Sequence, residues 1–138
     1  MNVNLSRRDY ECMESVHDLS SQGWPARVKD VAGKMKVKSP TALEFLDKLI
    51  GAGLVEKGPS GYRLTAEGTR CFDEALRAHR LLETLFTRNG IGLETACRMS
   101  SFVGGSIDEA DLEKLCANMS HPQTCPHGRP IPGGRRHV

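Results

Sequence analysis

A chain of 138 residues with a formal net charge of +2 is long enough for one compact domain, or for two small ones sharing a core. No apolar run approaches the roughly 20 residues of a membrane-spanning helix, and the opening MNVNLSRRDY lacks the apolar centre of a secretory signal, so membrane and export classes are set aside and a cytoplasmic location is expected. The five cysteines (Cys12, Cys71, Cys97, Cys116, Cys125) are odd in number and widely spread, which favours free thiols or metal ligands over a disulfide framework.

In chain order, LSRRDYECMESVHDLSSQG predicts a first helix, with Ser6 as N-cap, Asp9 three residues on, and Met13, Val16 and Leu19 as its apolar stripe. Glu11 and Glu14 project from one side of it and, taken alone, read as solvated carboxylates. ARVKDVAGKM predicts a short second helix. SPTALEFLDKLIGAG predicts a third, capped by Ser39, with Pro40 in its first turn, Leu43, Leu46, Leu49 and Ile50 repeating at three or four, and Gly51 and Gly53 at its end. LVEKG and GYRLT, around Pro59-Ser60-Gly61, predict a β-hairpin.

Three helices and a hairpin in this order match a winged helix-turn-helix. Residues 25–64 also hold eight basic side chains (Arg27, Lys29, Lys34, Lys36, Lys38, Lys48, Lys57, Arg63) against four acids, whereas residues 92–122 hold two against five. A basic block beside an acidic one suits a polyanion-binding module joined to something else. In such a module the third helix enters the major groove by its N-terminal end and the wing touches the backbone. Ser39 and Thr41 are then the candidates to reach bases or phosphates, Lys36 and Lys38 flank them with charge, and Arg27, Lys57 and Arg63 are candidate phosphate contacts. Glu44 is the awkward residue, since an acid near phosphates costs affinity unless it accepts from a cytosine amino group. A winged helix used for protein contact is the alternative.

Thr65 to Arg88 predicts one long helix, capped by Thr65 with Glu67 behind it and striped by Phe72, Ala75, Leu76, Leu82, Leu85 and Phe86. Cys71 on it reads as a small apolar residue. His79 and Glu83, four apart, share a face. After an Asn89-Gly90 stop, GLETACRMSSFV predicts a short helix bearing Cys97, Gly104-Gly105 a break, and SIDEADLEKLCANM a sixth helix with Ser106 at its cap. The end, SHPQTCPHGRPIPGGRRHV, is expected to be extended or irregular. In an extended segment Cys125 and His127 point the same way. With His79 and Glu83 they make four donors suited to a first-row divalent ion, at a spacing unlike a zinc finger's.

From Leu5 to Gly133 the chain resembles the diphtheria-toxin-repressor family of metal-dependent transcriptional repressors, which includes iron- and manganese-dependent regulators. The resemblance is carried by SPTALEFLDKLIGAGLVE, LTAEGTR, RAHRLLETL, ACR and HPQTCPHGRPIPGG, of which RAHRLLETL and CPHGRPIP are the specific ones. It implies a winged helix-turn-helix over 1–64, then a helical dimerisation and metal-binding domain with an irregular tail over 65–138. His79 and Glu83 fall on the ancillary metal site, which Cys125 and His127 would complete. Cys97 falls on a primary-site position, and Glu11 and Glu14 fall where manganese-type members have carboxylate ligands. Ser100 and Ser101 stand where the family has a Glu-His pair, and Leu93 where iron-type members have a histidine, so the primary site is expected to be incomplete, or rebuilt from Glu11, Glu14, Cys97 and solvent. The SH3-like third domain of longer members is not expected.

The resemblance implies a homodimeric repressor of metal homeostasis, and no enzyme, binding a palindromic duplex operator through Arg27, Lys36, Lys38, Ser39, Pro40, Thr41, Lys57 and Arg63. Fe2+ is the expected ion, with Mn2+, Zn2+, Ni2+ and Co2+ as alternatives. Two rivals stand beside it: a manganese-responsive member of the family, and a redox regulator sensing through Cys97, Cys116 or Cys125 with a structural metal. A thiol enzyme has no oxyanion-forming glycine turn beside Cys97 or Cys125 to support it. Cys12, His17, His121 and His137 receive no role.

Overall fold

The computed structural model describes residues 5–23, 25–103 and 107–133; the Gly104-Gly105 break, the Ser106 cap and His137 lie outside them. The elements are α1 (Arg7–Ser21), α2 (Val28–Met35), α3 (Ser39–Gly51), β1 (Val55–Gly58), β2 (Gly61–Leu64), α4 (Ala66–Arg88), α5 (Leu93–Val103) and α6 (Glu109–Asn118). They fall into two compact units, Met1–Phe72 and Asp73–Val138. The division lies inside α4, not at its start.

In the first unit, α1 begins with a capping box. The Ser6 hydroxyl accepts from Asp9 N at 3.2 Å, and Asp9 Oδ2 accepts from Ser6 N at 2.7 Å. Met13, Val16, Val31, Leu46, Leu49 and Val55 are fully buried and join α1, α2, α3 and the wing in one core. Helix α2 ends where Lys36 turns left-handed at φ 57°. Helix α3 is capped one residue earlier than its sequence suggests. Lys38, in extended backbone, offers its carbonyl to Thr41 N and Ala42 N at 3.0 and 3.1 Å, and Ser39 is already the first helical residue.

Strands β1 and β2 pair antiparallel with Val55 opposite Leu64 and Gly58 opposite Gly61. Ala26 adds a bridge, its carbonyl accepting from Tyr62 N at 2.9 Å. Gly61 is required there: its φ is +122°, and a Cβ would stand 2.9 Å from the Ala26 carbonyl oxygen. The hairpin thereby becomes a wing fastened to the start of α2. Helix, helix, helix and hairpin, closed in this way, form a winged helix-turn-helix in a mainly helical chain.

An ion pair between a buried carboxylate and a half-exposed ammonium ties the first helix to the third. Asp9 is fully buried, and Oδ2 takes the Lys48 ammonium at 2.6 Å. Burial works to raise the Asp9 pKa, but the hydrogen bonds from Lys48 and Ser6 outweigh it and hold the carboxyl below its ordinary value. A depressed folded-state pKa gives stability that is complete above the unfolded carboxyl's range and lost as the pH falls through the folded value. Asp9→Asn should therefore cost about 1–2 kcal/mol at neutral pH, a figure discounted because Lys48 is half exposed. In urea unfolding, the gap between wild type and variant should close as the pH drops below about 4; a gap constant from pH 7 to 3 would remove the ionised pair as its cause. Beside this pair, burial and then the Asp9 charge push the Cys12 thiol up to about 12, which makes it an inert core residue.

Helix α4 opens on Thr65, whose hydroxyl accepts from Gly68 N at 3.0 Å and donates to the Gly53 carbonyl at 2.7 Å. In the second unit Ala78 and Leu81 of α4 pack on Leu112 and Cys116 of α6 and on Met119 at its C-cap, with Leu85, Ile107, Leu115 and Ile131 around them. Asp108 is the N-cap of α6. Buried Arg77 donates to Glu113 at 2.7 Å and Arg88 to the Met119 carbonyl at 2.8 Å, which fixes α6 along α4. Among the described residues no helix is long and apolar enough to cross a membrane.

Candidate metal centre

His79 and Glu83 leave α4 one turn apart, and the second unit closes around them. Glu83 is 1% exposed, so its carboxylate must find partners or neutralise. It finds a different one for each oxygen. Oε2 lies 3.2 Å from His79 Nε2, and Oε1 lies 3.0 Å from His127 Nδ1. Cys97, on α5, brings its Sγ to 3.7 Å from the same His79 nitrogen. The donors fall into two groups, His79-Glu83-Cys97 and Glu83-Cys125-His127, whose ligand atoms lie within 4.8 Å of one another inside each group. Glu83 belongs to both.

The segment that brings Cys125 and His127 is irregular, as its prolines and glycines suggested, and takes the form of a tight turn. Thr124 and Pro130 form a bridge, Cys125 N donates to the Arg129 carbonyl at 2.8 Å, and Gly128 N returns to the Cys125 carbonyl at 2.8 Å with Gly128 at φ +79°. Glycine is needed where the chain turns back. The Arg80 guanidinium, one residue from His79, donates to the Pro130 carbonyl and ties the turn to α4. Prolines on either side limit the freedom this loop must surrender to keep its pose.

The charges fit a cation. Burial acts to raise the Glu83 pKa, yet the hydrogen bonds from His127 and Cys97 and the nearby His79 outweigh it, so the carboxylate stays ionised. Burial first, then the Glu83 carboxylate, push the Cys97 thiol above its ordinary value, with Arg129 opposing weakly. A carboxylate, two imidazoles and two thiols facing one another have the composition of a transition-metal site. Every proton they share is one that a divalent ion displaces.

The other expected site residues are placed as follows. Cys97, assigned by resemblance to a site apart from His79 and Glu83, stands in one group with them. Among the described residues the metal-competent groups come from the second unit alone. Glu11, in the first unit, pairs with Arg7 at 3.4 Å and with Arg8, and Glu14 is exposed on α1. Ser100 and Ser101 donate to the carbonyls of Ala96 and Cys97 on their own helix, at 2.7 and 3.1 Å, and Leu93 is exposed. Arg27, Lys36, Lys38, Ser39, Pro40, Thr41, Lys57 and Arg63 are all exposed in the first unit. Arg63 is matched across the wing by Glu56 at 2.7 Å, and Lys57 lies over the Tyr62 ring. Sequence reasoning overlooked Arg80 and Arg129, whose signal was only their position beside His79 and within CPHGR.

Comparison with known proteins supplies the family. Residues 65–133 match the model of the iron-dependent repressor metal-binding and dimerisation domain, a range that includes all five clustered donors. The chain belongs to the iron-dependent repressor family. It is similar to the transcriptional regulator MntR of Escherichia coli O6:H1, 30% identical over 102 residues that make up 73% of this chain and 66% of MntR. It is also 30% identical over 129 residues to the diphtheria toxin repressor of Corynebacterium jeikeium, covering 88% of this chain and 51% of that one. The chain thus spans between half and two-thirds of the length of these relatives. A crystal structure of a hypothetical protein from Sulfolobus solfataricus superposes with a TM-score of 0.83 at 32% identity, over 94% of this chain and 100% of that one.

Proposed function

We propose that this protein is a homodimeric, metal-dependent repressor that binds duplex DNA through its winged helix and controls metal homeostasis, with Fe(II) as its ion. The observation that carries the reading is the Glu83 carboxylate, buried between His79 and His127 with two thiols beside it. His79, Glu83, Cys97, Cys125 and His127 would hold the ion, and Glu11 and Glu14 are the carboxylates that α1 has to offer. The ion supplies a positive charge that satisfies the buried carboxylate and fastens the turn at residues 124–130 to α4. Thiolate and imidazole donors suit Fe(II) better than Mn(II), which prefers carboxylate and water, and this favours iron over the manganese alternative.

Metal raises DNA affinity only if the DNA-competent arrangement holds the ion more tightly than the others do, and a coupling of about 1–3 kcal/mol is usual. At the end of α5 the exposed Phe102 (67%) and neighbouring Val103 leave apolar surface suited to a second copy. Two-fold symmetry then implies a roughly palindromic operator read by Ser39, Pro40 and Thr41, with Arg27, Lys36, Lys38, Lys57 and Arg63 on phosphates. The redox rival is weakened by the raised Cys97 thiol, which is poorly ionised for attack on peroxide.

The experiment is anaerobic operator binding with Fe(II), with Mn(II) and with a chelator. Affinity about 5- to 150-fold higher with Fe(II) than with chelator is expected. Equal affinity in all three would end metal control, and stronger activation by Mn(II) at equal free concentration would reassign the metal.

A further inference from the structure

On α3, Glu44 and Lys48 stand four residues apart, the spacing at which a carboxylate and an ammonium on a helix surface pair. They do not pair here, because Lys48 is drawn 2.6 Å from Oδ2 of the buried Asp9. Glu44 is left exposed, and among the described residues its carboxylate has neither ion pair nor hydrogen bond. Ala42, Leu46 and Leu49 are the buried side of α3. At about 100° per residue Glu44 falls near the centre of the opposite face, one turn beyond Pro40, with Asp47 on the flank of the same face.

On the reading proposed above, that face meets the major groove. An uncompensated carboxylate there is repelled by phosphates on either side and weakens binding to every sequence, unless it accepts a hydrogen bond from a base. Two base edges offer an amino donor. Adenine presents N6 beside the N7 acceptor, which repels a carboxylate oxygen, whereas cytosine presents its N4 amino group alone. We infer that Glu44 is a specificity-determining residue that accepts from the N4 amino group of a cytosine in each half of the operator. The Asp9–Lys48 pair leaves it free to do so by removing its competitor on the helix.

The test is selection from a pool of randomised duplexes by the full chain loaded with Fe(II) under anaerobic conditions, run in parallel with Glu44→Gln and Glu44→Ala. Glu44 is exposed and unpartnered, so both variants are expected to fold. The wild type should require a cytosine at one position of each half-site, with other bases there binding roughly tenfold to a hundredfold more weakly. Glu44→Gln should move that single position to adenine, since a carboxamide both donates to N7 and accepts from N6. Glu44→Ala should lose the preference while binding unrelated duplex more tightly. If Glu44→Gln selects the same base as wild type everywhere, or gains equally on all sequences, Glu44 only repels phosphate and the inference is overturned. If the wild type selects no sequence at all, the DNA-reading role of α3 falls, and this contact with it.

Discussion

Glu83→Gln is expected to lower divalent-metal affinity by at least about 100-fold and to remove the metal response of DNA binding, more than the loss of any other single donor. A group that only hydrogen-bonds to a metal ligand is typically worth 10- to 100-fold in affinity, and Glu83 faces the site directly. Its two oxygens serve two different groups: Oε2 meets His79, in the group that Cys97 completes, and Oε1 meets His127, in the group that Cys125 completes. Cys125→Ser or His79→Ala touches one group, whereas Glu83→Gln takes the negative charge from both and presents an amide NH2 to an imidazole or to an incoming cation. Competition of a metal-sensitive dye against the purified protein measures the affinity, and circular dichroism checks the fold. Retention of wild-type affinity by Glu83→Gln, beside a large loss in His79→Ala, would show that the buried carboxylate is structural and not a ligand.

The largest effect on stability is expected at Gly68, in the first turn of α4. A Cβ there would stand 1.9 Å from the Leu54 carbonyl oxygen and 2.8 Å from its carbon, both of them backbone. Relief requires moving the start of α4, yet the same Leu54 oxygen accepts from Thr65 N at 3.0 Å and the Thr65 hydroxyl holds Gly53 at 2.7 Å. Any shift that admits the methyl breaks the cap. Gly68→Ala should therefore cost about 3 kcal/mol or more, in spite of the roughly 1 kcal/mol by which alanine favours a helix. Thermal unfolding should show a fall of roughly 10 °C or more. Gly33→Ala is the control: nothing lies within 4 Å of its Cβ and it sits inside α2, so the same substitution should stabilise by about 0.5–1 kcal/mol. Equal effects at the two positions would show that the contact at Leu54 relaxes freely.

Much of the chain could be read from local chemistry, because local chemistry is what decides it. The Ser6–Asp9 box, the short α2, the β-hairpin around Pro59-Ser60 and the long α4 follow from residues close to one another in the chain, and each stands where its sequence put it. So does the pairing of His79 with Glu83, fixed by helical spacing once α4 forms. The misplaced cap of α3 is a boundary matter, decided by which carbonyl first finds amides at three and four residues.

What the tertiary structure alone decided lies between residues far apart in the chain, where no periodicity reaches. Cys97 joins His79 across 18 residues, where the resemblance had set them in separate sites, and His127 joins Glu83 across 44, a meeting expected from donor type and resemblance but given its geometry by the fold. The need to satisfy a buried charge selects those partners. Lys48, at helical pairing distance from Glu44, goes instead to Asp9, 39 residues away, because a fully buried carboxylate gains more from an ammonium than an exposed one does. Local chemistry along the chain settles which helices form and which donors they carry. Only the fold, by withdrawing some of those charges from water, decided which of them must meet.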